Sequence, residues 1–184
     1  MSGLPAGEMS GTLAAVSGSL ETIFGALERA SARYLVVGGV AVVLHGHPRF
    51  TADLDLVLAL DAENVRAVLG ALEPLGYVPR VPVPAEDLAD PVRRAEWARN
   101  KGMTVFTLTS PLHPATEVDL FVEEPFPFDE AHARALQVDL GDVRVWVASL
   151  ADLIAMKRRA GRTQDLEDVR NLEAIARAIE DGDE

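Results

Sequence analysis

The feature that most constrains the fold is a strand, a glycine pair and a second strand with two aspartates, all within residues 34–58. The run YLVV predicts a short buried strand, and Gly38 and Gly39 predict a tight turn into a buried helix. The later run FTADLDLVLAL alternates in polarity and predicts another strand. Because successive side chains of a strand point to opposite faces, we expect Asp53 and Asp55 to share one face while the leucines between them enter the core.

Asp53 and Asp55 also predict a site for divalent metal ions. Two close carboxylates repel each other, and the binding of a divalent cation usually relieves this repulsion. Mg²⁺ takes a few hard oxygen ligands and completes its shell with water and substrate phosphate, which suits phosphoryl or nucleotidyl transfer. The alternative is an exposed strand face on which both aspartates form surface ion pairs.

A third carboxylate, Asp119, lies in the strand-like segment EVDLFV. If that strand is a neighbour of the first, three carboxylates could hold two ions, Mg²⁺ or Mn²⁺. The glycine pair adds to this, because backbone N–H groups at Gly38 and Gly39 can face a triphosphate with no side chain between them. The conjunction of these features, rather than any one of them, indicates a nucleotide site.

The composition restricts the cellular location and the partners that we expect for the chain. It has 184 residues, no cysteine and a formal net charge of −12. Its apolar runs are shorter than the roughly 20 residues that a membrane helix needs, so we expect a cytoplasmic protein without a membrane association. The acidic balance argues against broad electrostatic attraction to nucleic acid, although a local basic patch could still bind it.

The order of elements predicts an α/β (α+β) fold, with a small mixed sheet flanked by helices and with C-terminal helices. Residues 1–18, rich in Gly, Ser and Ala, predict a flexible arm. Residues 19–148 predict the core, which includes a hairpin of the strands MTVFTLTS and ATEVDLFV. Residues 149–184 predict a helical part that begins with a capping box at Ser149. The last helix, from about Thr163, is expected to bury Leu166, Val169, Leu172, Ala176 and Ile179.

The spaced pattern G-G-x-A, H-G, R-x-T and D-L-D resembles the small nucleotidyltransferases of the polymerase-beta superfamily, and most of all the branch with AbiEii-type and MenT-type toxins. The likeness continues through Asp119 and through LIAMKRRAGRTQDLEDV, which is similar to that branch's lysine helix followed by an acidic helix. It covers residues 34–184, with the proline-rich middle unmatched. The residues that carry the first pattern are Gly38, Gly39, Ala41, His45, Gly46, Arg49, Thr51, Asp53 and Asp55.

The resemblance implies a role for each matched carboxylate. Asp53 and Asp55 would ligate both metal ions, and Asp119 would complete the metal site and help to deprotonate the acceptor. Asp165 and Asp168, three residues apart on one helix face, would orient Lys157 or an adjacent arginine.

The resemblance also implies a nucleotide site. Gly38 and Gly39 would hold the triphosphate, Thr51 would add a hydroxyl contact, and Lys157 would offset phosphate charge. Many superfamily members have Gly-Ser at the glycine pair, so one serine contact to phosphate is missing here. Arg49 is a further nucleotide-binding candidate, which either reaches phosphate or pairs with a neighbouring aspartate.

Two other patterns have competing interpretations. His45 and His47 form an H-x-H pair that can bind a transition metal, but without a third clustered ligand a turn at the end of a helix is the better interpretation. The basic cluster from Lys157 to Arg162 is either a solvated helix end or a contact to phosphate or RNA backbone.

These features predict a Mg²⁺-dependent nucleotidyltransferase that moves a nucleoside monophosphate from an NTP to an acceptor hydroxyl and releases pyrophosphate. The resemblance implies RNA as acceptor, particularly a tRNA 3′ end, and a toxin–antitoxin pair with an antitoxin protein as partner. One alternative is transfer to a small molecule or a protein side chain. Another is a catalytically inactive fold that binds nucleotide or a partner, which the three intact aspartates disfavour.

Overall fold

The computed structural model describes residues 6–182 of the chain, and side chains within residues 18–181. These residues form seven strands and seven α-helices. Their bounds are α1 Ala6–Arg29, β1 Tyr34–Val37, α2 Gly38–Leu44, β2 Leu54–Leu58, α3 Ala62–Leu72, β3 Val78–Pro79, α4 Pro91–Lys101, β4 Val105–Thr109, β5 Val118–Phe121, α5 Phe128–Ala133, β6 Leu136–Leu140, β7 Val143–Val147, α6 Leu150–Ala160 and α7 Thr163–Gly182.

One mixed sheet organises the fold, in the order β3-β4-β5-β2-β1-β7-β6. Strand β2 is parallel to β5 and β1 is parallel to β7, while the other neighbours are antiparallel. Strand β1 is buried along its whole length, and the leucines of β2 are buried on either side of Asp55. The predicted mixed α/β fold is confirmed.

Local signals in the sequence set the ends of several helices. The Asp61 side chain accepts a hydrogen bond from the backbone N–H of Asn64 and caps α3. Ser149 caps α6 in the same way, and Gly161 ends that helix in the left-handed conformation, with φ +67°. Such caps satisfy backbone groups that a helix end leaves without partners.

Helix α1 begins at Ala6, well before residue 19, where the sequence predicts that the core begins. It therefore includes residues 6–18, which the sequence predicts as an arm, while residues 1–5 lie outside the described part of the chain. The division at residue 148 stays a prediction. None of the described helices is both long and apolar enough to cross a lipid bilayer.

The buried face of α7 differs from the predicted one. Val169 and Leu172 are buried, but Leu166 and Ile179 are 44% and 55% exposed. Asp165 and Asp168, at 3% and 4% exposure, occupy the buried face instead. The prediction was wrong for Leu166 and Ile179. Where α7 passes the cleft, its inward face carries Asp165 and Asp168, which pair with the basic side chains of Lys157 and Arg49.

Candidate active site

The glycine pair lets two polar side chains lie directly against the backbone. Gly38 has φ +65°, and a Cβ atom there would stand 1.9 Å from Oδ2 of Asp55. At Gly39 a Cβ atom would stand 2.6 Å from Oγ1 of Thr51. The space beside each glycine is therefore filled by the chain's own Asp55 and Thr51, not left open for a ligand as the sequence suggested. Both positions demand glycine, because any side chain would displace these groups.

Asp55 and Asp119 lie side by side on the parallel strands β2 and β5, as direct register partners. Asp53 precedes the first residue of β2, so the regular strand is shorter than predicted. Burial raises the pKa of Asp55 to about 6, and the charges of Asp119 and Asp53 add to this effect. Burial likewise raises the pKa of Asp119, with a further contribution from Asp53. The three carboxylates thus repel one another, as like charges in a partly desolvated site do.

One hydrogen bond opposes that repulsion at Asp119. Thr107 on β4 is the register partner of Asp119, and its hydroxyl donates to Oδ1 of Asp119 over 2.5 Å. A hydrogen bond to an ionised acceptor is short and strong, and it favours the charged form. The sequence contained Thr107 in an alternating strand, but nothing in it identified which residue of the next strand it would face.

Helices α6 and α7 contribute a buried network of charges. Lys157 is 7% exposed, and its ammonium lies 2.6 Å from Oδ2 of Asp168 and 3.7 Å from Oδ1 of Asp165. Asp168 also pairs with Arg49, and Arg162 donates to Asp165 over 2.7 Å. Although burial alone would raise it, the pKa of Asp165 is lowered by Arg162 and Lys157. Both aspartates thus contact Lys157 and a neighbouring arginine.

These groups line one open cleft of about 790 Å³. The glycine pair, the three aspartates, Arg49, Thr51, Lys157 and Asp165 all lie on its wall. Asp168 is not on the wall and reaches it through Arg49 and Lys157. Further lining residues that the sequence reasoning missed are Thr104, Val105, Phe121, Pro125, Leu153, Met156, Ala160 and Gln164.

A smaller side pocket of about 390 Å³ adjoins the cleft. The two cavities share Thr104, Phe121 and Pro125 on their walls. The side pocket also has the exposed carboxylates Glu123 and Glu124, and none of its described lining residues is Lys or Arg. The two cavities therefore carry different charges: basic side chains line only the larger one.

The carboxylate chemistry of the cleft fits a hard divalent cation, and Asp55 and Asp119 are its best-placed donors because they are register partners. Within residues 18–181, however, no three His, Asp or Glu side chains are gathered tightly enough to hold an ion by themselves. A metal ion here would thus depend on water or substrate oxygens to complete its shell, as Mg²⁺ often does.

The two histidines of the H-x-H pattern have structural partners. Nε2 of His45 lies 2.9 Å from the carbonyl oxygen of Ala148, and burial lowers the pKa of this imidazole. Nε2 of His47 lies 2.9 Å from the side-chain amide of Asn171 in α7. The turn at the end of a helix is confirmed by the position of His45 at the C-terminus of α2.

Residues 11–180 match the family described as "Nucleotidyltransferase of unknown function (DUF6036)". The chain belongs to this nucleotidyltransferase family. The prediction of a transferase is thereby confirmed, and the match spans the glycine pair, all the aspartates of the cleft and Lys157. A comparison with curated proteins found no match.

Solved structures with the same fold include two antibiotic-modifying enzymes. The lincosamide adenylyltransferase LnuA, bound to lincomycin, has a TM-score of 0.57 at 19% identity over 85% of this chain and 95% of its own. ANT(2")-Ia in complex with adenylyl-2"-tobramycin has a TM-score of 0.55 at 15% identity, over 91% and 98% of the two chains. An antigenic nucleotidyltransferase-like protein from Paracoccidioides brasiliensis gives 0.53 at 18% identity, over 87% and 74%. At these identities the likeness concerns the fold.

Proposed function

We propose that the protein transfers a nucleoside monophosphate from an NTP to an acceptor hydroxyl, in the cleft between the sheet and helices α6 and α7. The observation that carries this proposal is the pairing of Asp55 with Asp119 in register, within a cleft that also contains Lys157. Carboxylates that repel each other beside a buried cation are typical of sites that handle phosphate and metal, rather than of a packed core.

Asp55 and Asp119, with Asp53 beside them, would hold Mg²⁺ or Mn²⁺ when nucleotide binds. Divalent ions in such a site neutralise phosphate charge and align the reacting oxygens. Arg49, Thr51 and Lys157 are the candidates for contacting the triphosphate, since all three line the same cleft.

In the transfer step, the acceptor oxygen forms a bond to the α-phosphorus of the NTP while the bond from that phosphorus to the β-phosphate oxygen breaks. Pyrophosphate leaves, and the acceptor's proton passes to Asp119. Asp119 is assigned this role because it lies on the cleft wall beside Asp55, where an acceptor hydroxyl that enters the cleft comes within reach of its carboxylate.

RNA is the first candidate acceptor, with a tRNA 3′ end and a toxin–antitoxin setting as the specific case. Its support is the likeness of the DLD and lysine-helix patterns to the AbiEii and MenT branch, together with basic side chains on the cleft wall. Arg159 and Arg162 line the cleft, and the Arg162 side chain is 79% exposed. Exposed cations of this kind can contact RNA phosphates.

A small hydroxyl compound is the second candidate acceptor, and the side pocket favours it. The pocket adjoins the cleft next to Phe121, two residues beyond Asp119 on β5, and it presents Glu123 and Glu124 rather than cations. Carboxylates repel a nucleic-acid backbone but can bind an amino group. One solved structure of this fold contains lincomycin and another contains adenylyl-2"-tobramycin, and both compounds are small molecules.

One experiment tests the activity and both acceptors. The protein is incubated with each α-labelled NTP and Mg²⁺ or Mn²⁺, either with total RNA or with a library of small hydroxyl compounds that includes amines. Label on RNA supports the first candidate, and label on a small compound supports the second. The D55N/D119N double variant is the matched control. If no acceptor gains label above this control while NTP still binds, the inactive alternative is correct and the proposal is wrong.

A further inference from the structure

Thr107 stands out because its contact to the cleft runs entirely through Asp119. It lies on β4, directly opposite Asp119 on β5, and is not itself on the cleft wall. The residues on either side of it, Phe106 and Leu108, are buried in the core, so alternation along the strand directs Thr107 to the same face as Asp119.

The contact fixes one oxygen of the carboxylate. The hydroxyl of Thr107 donates to Oδ1 of Asp119 over 2.5 Å. Within residues 18–181, no other side chain donates to Asp119, so Oδ2 has no protein donor. A carboxylate held by one oxygen loses much of its rotational freedom while the second oxygen stays available for a ligand.

We propose that Thr107 is a positioning residue for Asp119, which holds Oδ1 so that Oδ2 meets a divalent cation and the acceptor in a fixed orientation. This inference rests on the proposed nucleotidyl transfer. Outer-shell partners that orient a ligating carboxylate typically change metal affinity or activity by about 10- to 100-fold when they are removed. A threonine that only filled a strand position would have no such effect.

Strand β4 provides a matched control. Thr109 lies two residues beyond Thr107 on the same face of β4, is likewise half-buried, and pairs in register with Val78 instead of a carboxylate. Replacing either threonine with valine changes the strand in the same way, but only Thr107→Val removes a donor from Asp119. Thr107→Ser keeps the hydroxyl and loses only the methyl group.

The experiment measures Mn²⁺ affinity by calorimetry, and kcat and KM for NTP, in the wild type and in these three variants. We expect Thr107→Val to weaken Mn²⁺ binding and to lower kcat, each by about 10- to 100-fold, with little change in KM for NTP. Thr107→Ser should restore most of both losses, and Thr109→Val should match the wild type.

The inference is overturned if Thr107→Val binds Mn²⁺ and turns over like the wild type, or if Thr107→Ser is as impaired as Thr107→Val. The proposed function is refuted by a different result, in which the wild-type protein transfers label to no acceptor. In that case the Mn²⁺ titration alone decides the role of Thr107, because it needs no turnover. Circular dichroism and thermal melts of each variant identify a loss that comes from misfolding.

Discussion

Replacing Asp55 with asparagine should make the metal-free protein more stable at neutral pH while removing its transfer activity. Burial and the neighbouring aspartates raise the pKa of Asp55 from 3.8 to about 6. At about 1.4 kcal/mol for each pKa unit, ionised Asp55 lowers the free energy of unfolding by up to about 3 kcal/mol. Asparagine has nearly the same shape and no charge, so it should recover most of this energy. For a domain of this size, the gain corresponds to up to about 6–12 °C in melting temperature.

The effect has a definite pH dependence. Because the folded-state pKa lies above the unfolded one, the folded protein binds more protons between pH 3.8 and about 6, and its stability falls as pH rises through that window. The wild type and Asp55→Asn should therefore be equally stable below the window, and the difference should be complete above it. Mg²⁺ with NTP should narrow the gap, because it binds and stabilises only the folded wild type.

The assay is a series of thermal melts across this pH range in chelator-treated buffer, with activity measured in parallel. Asp142→Asn is the control, since Asp142 is exposed in the turn between β6 and β7 and should change stability by less than about 0.5 kcal/mol. The reasoning is refuted if Asp55→Asn melts at or below the wild-type temperature at every pH. Asp55 would then be stabilised by a partner rather than destabilised by repulsion.

Two further predictions concern the roles within the cleft. Asp119→Asn should keep most of the NTP affinity yet lose about two or more orders of magnitude in the rate of single-turnover label transfer. Lys157→Ala should weaken NTP binding as well as the rate of transfer. If Asp119→Asn transfers label at the wild-type rate, the site consists of only two aspartates. Gly38→Ala should displace the Asp55 carboxylate and abolish transfer. Gly141→Ala is the control: Gly141 has a similar φ of +62°, and no atom lies nearer than 3.8 Å to the new Cβ. This variant should have similar backbone strain and stay active. Equal activity of the two alanine variants, measured with labelled NTP, would contradict the close packing of Asp55 on Gly38.

Much of the local structure was predictable because its signals are short-range. The caps at Asp61 and Ser149 and the buried run of β1 are each specified by a few neighbouring residues. Helix α5 and strand β6 were missed because they lack such short-range signals. Helix α5 has only six residues, and β6 is an edge strand whose side chains are mostly exposed, so neither has a clear apolar period.

The assembly of the site was only partly predictable. The aspartates were recognised as candidates, but the register of Asp55 with Asp119 depends on β5 pairing with β2 in parallel, after a long connection that contains two α-helices and two other strands. Such pairings are decided by packing across the whole sheet rather than by local pattern. The hydroxyl of Thr107 is a further case, because its partner is fixed by the register of the β4–β5 hairpin.

The exposed Leu166 and the buried Asp168 of α7 have one physical cause. A helix normally turns its apolar stripe to the core, but here α7 packs against the partly buried Arg49 and the buried Lys157, and cations removed from water are costly unless carboxylates neutralise them. The cleft wall as a whole has four basic side chains and four aspartates, so its charges nearly cancel before any ligand enters. A triphosphate entering alone would have to compete with Asp168 for cations that are already paired. It would meet a far more favourable field if divalent counter-ions came with it and occupied the repelling carboxylates. The site is thus arranged in two parts. Asp168 on the buried face of α7 holds Arg49 and Lys157 in place before any ligand binds. The repelling carboxylates around Asp55, whose pKa is raised, are neutralised only when the substrate complex brings its divalent ions.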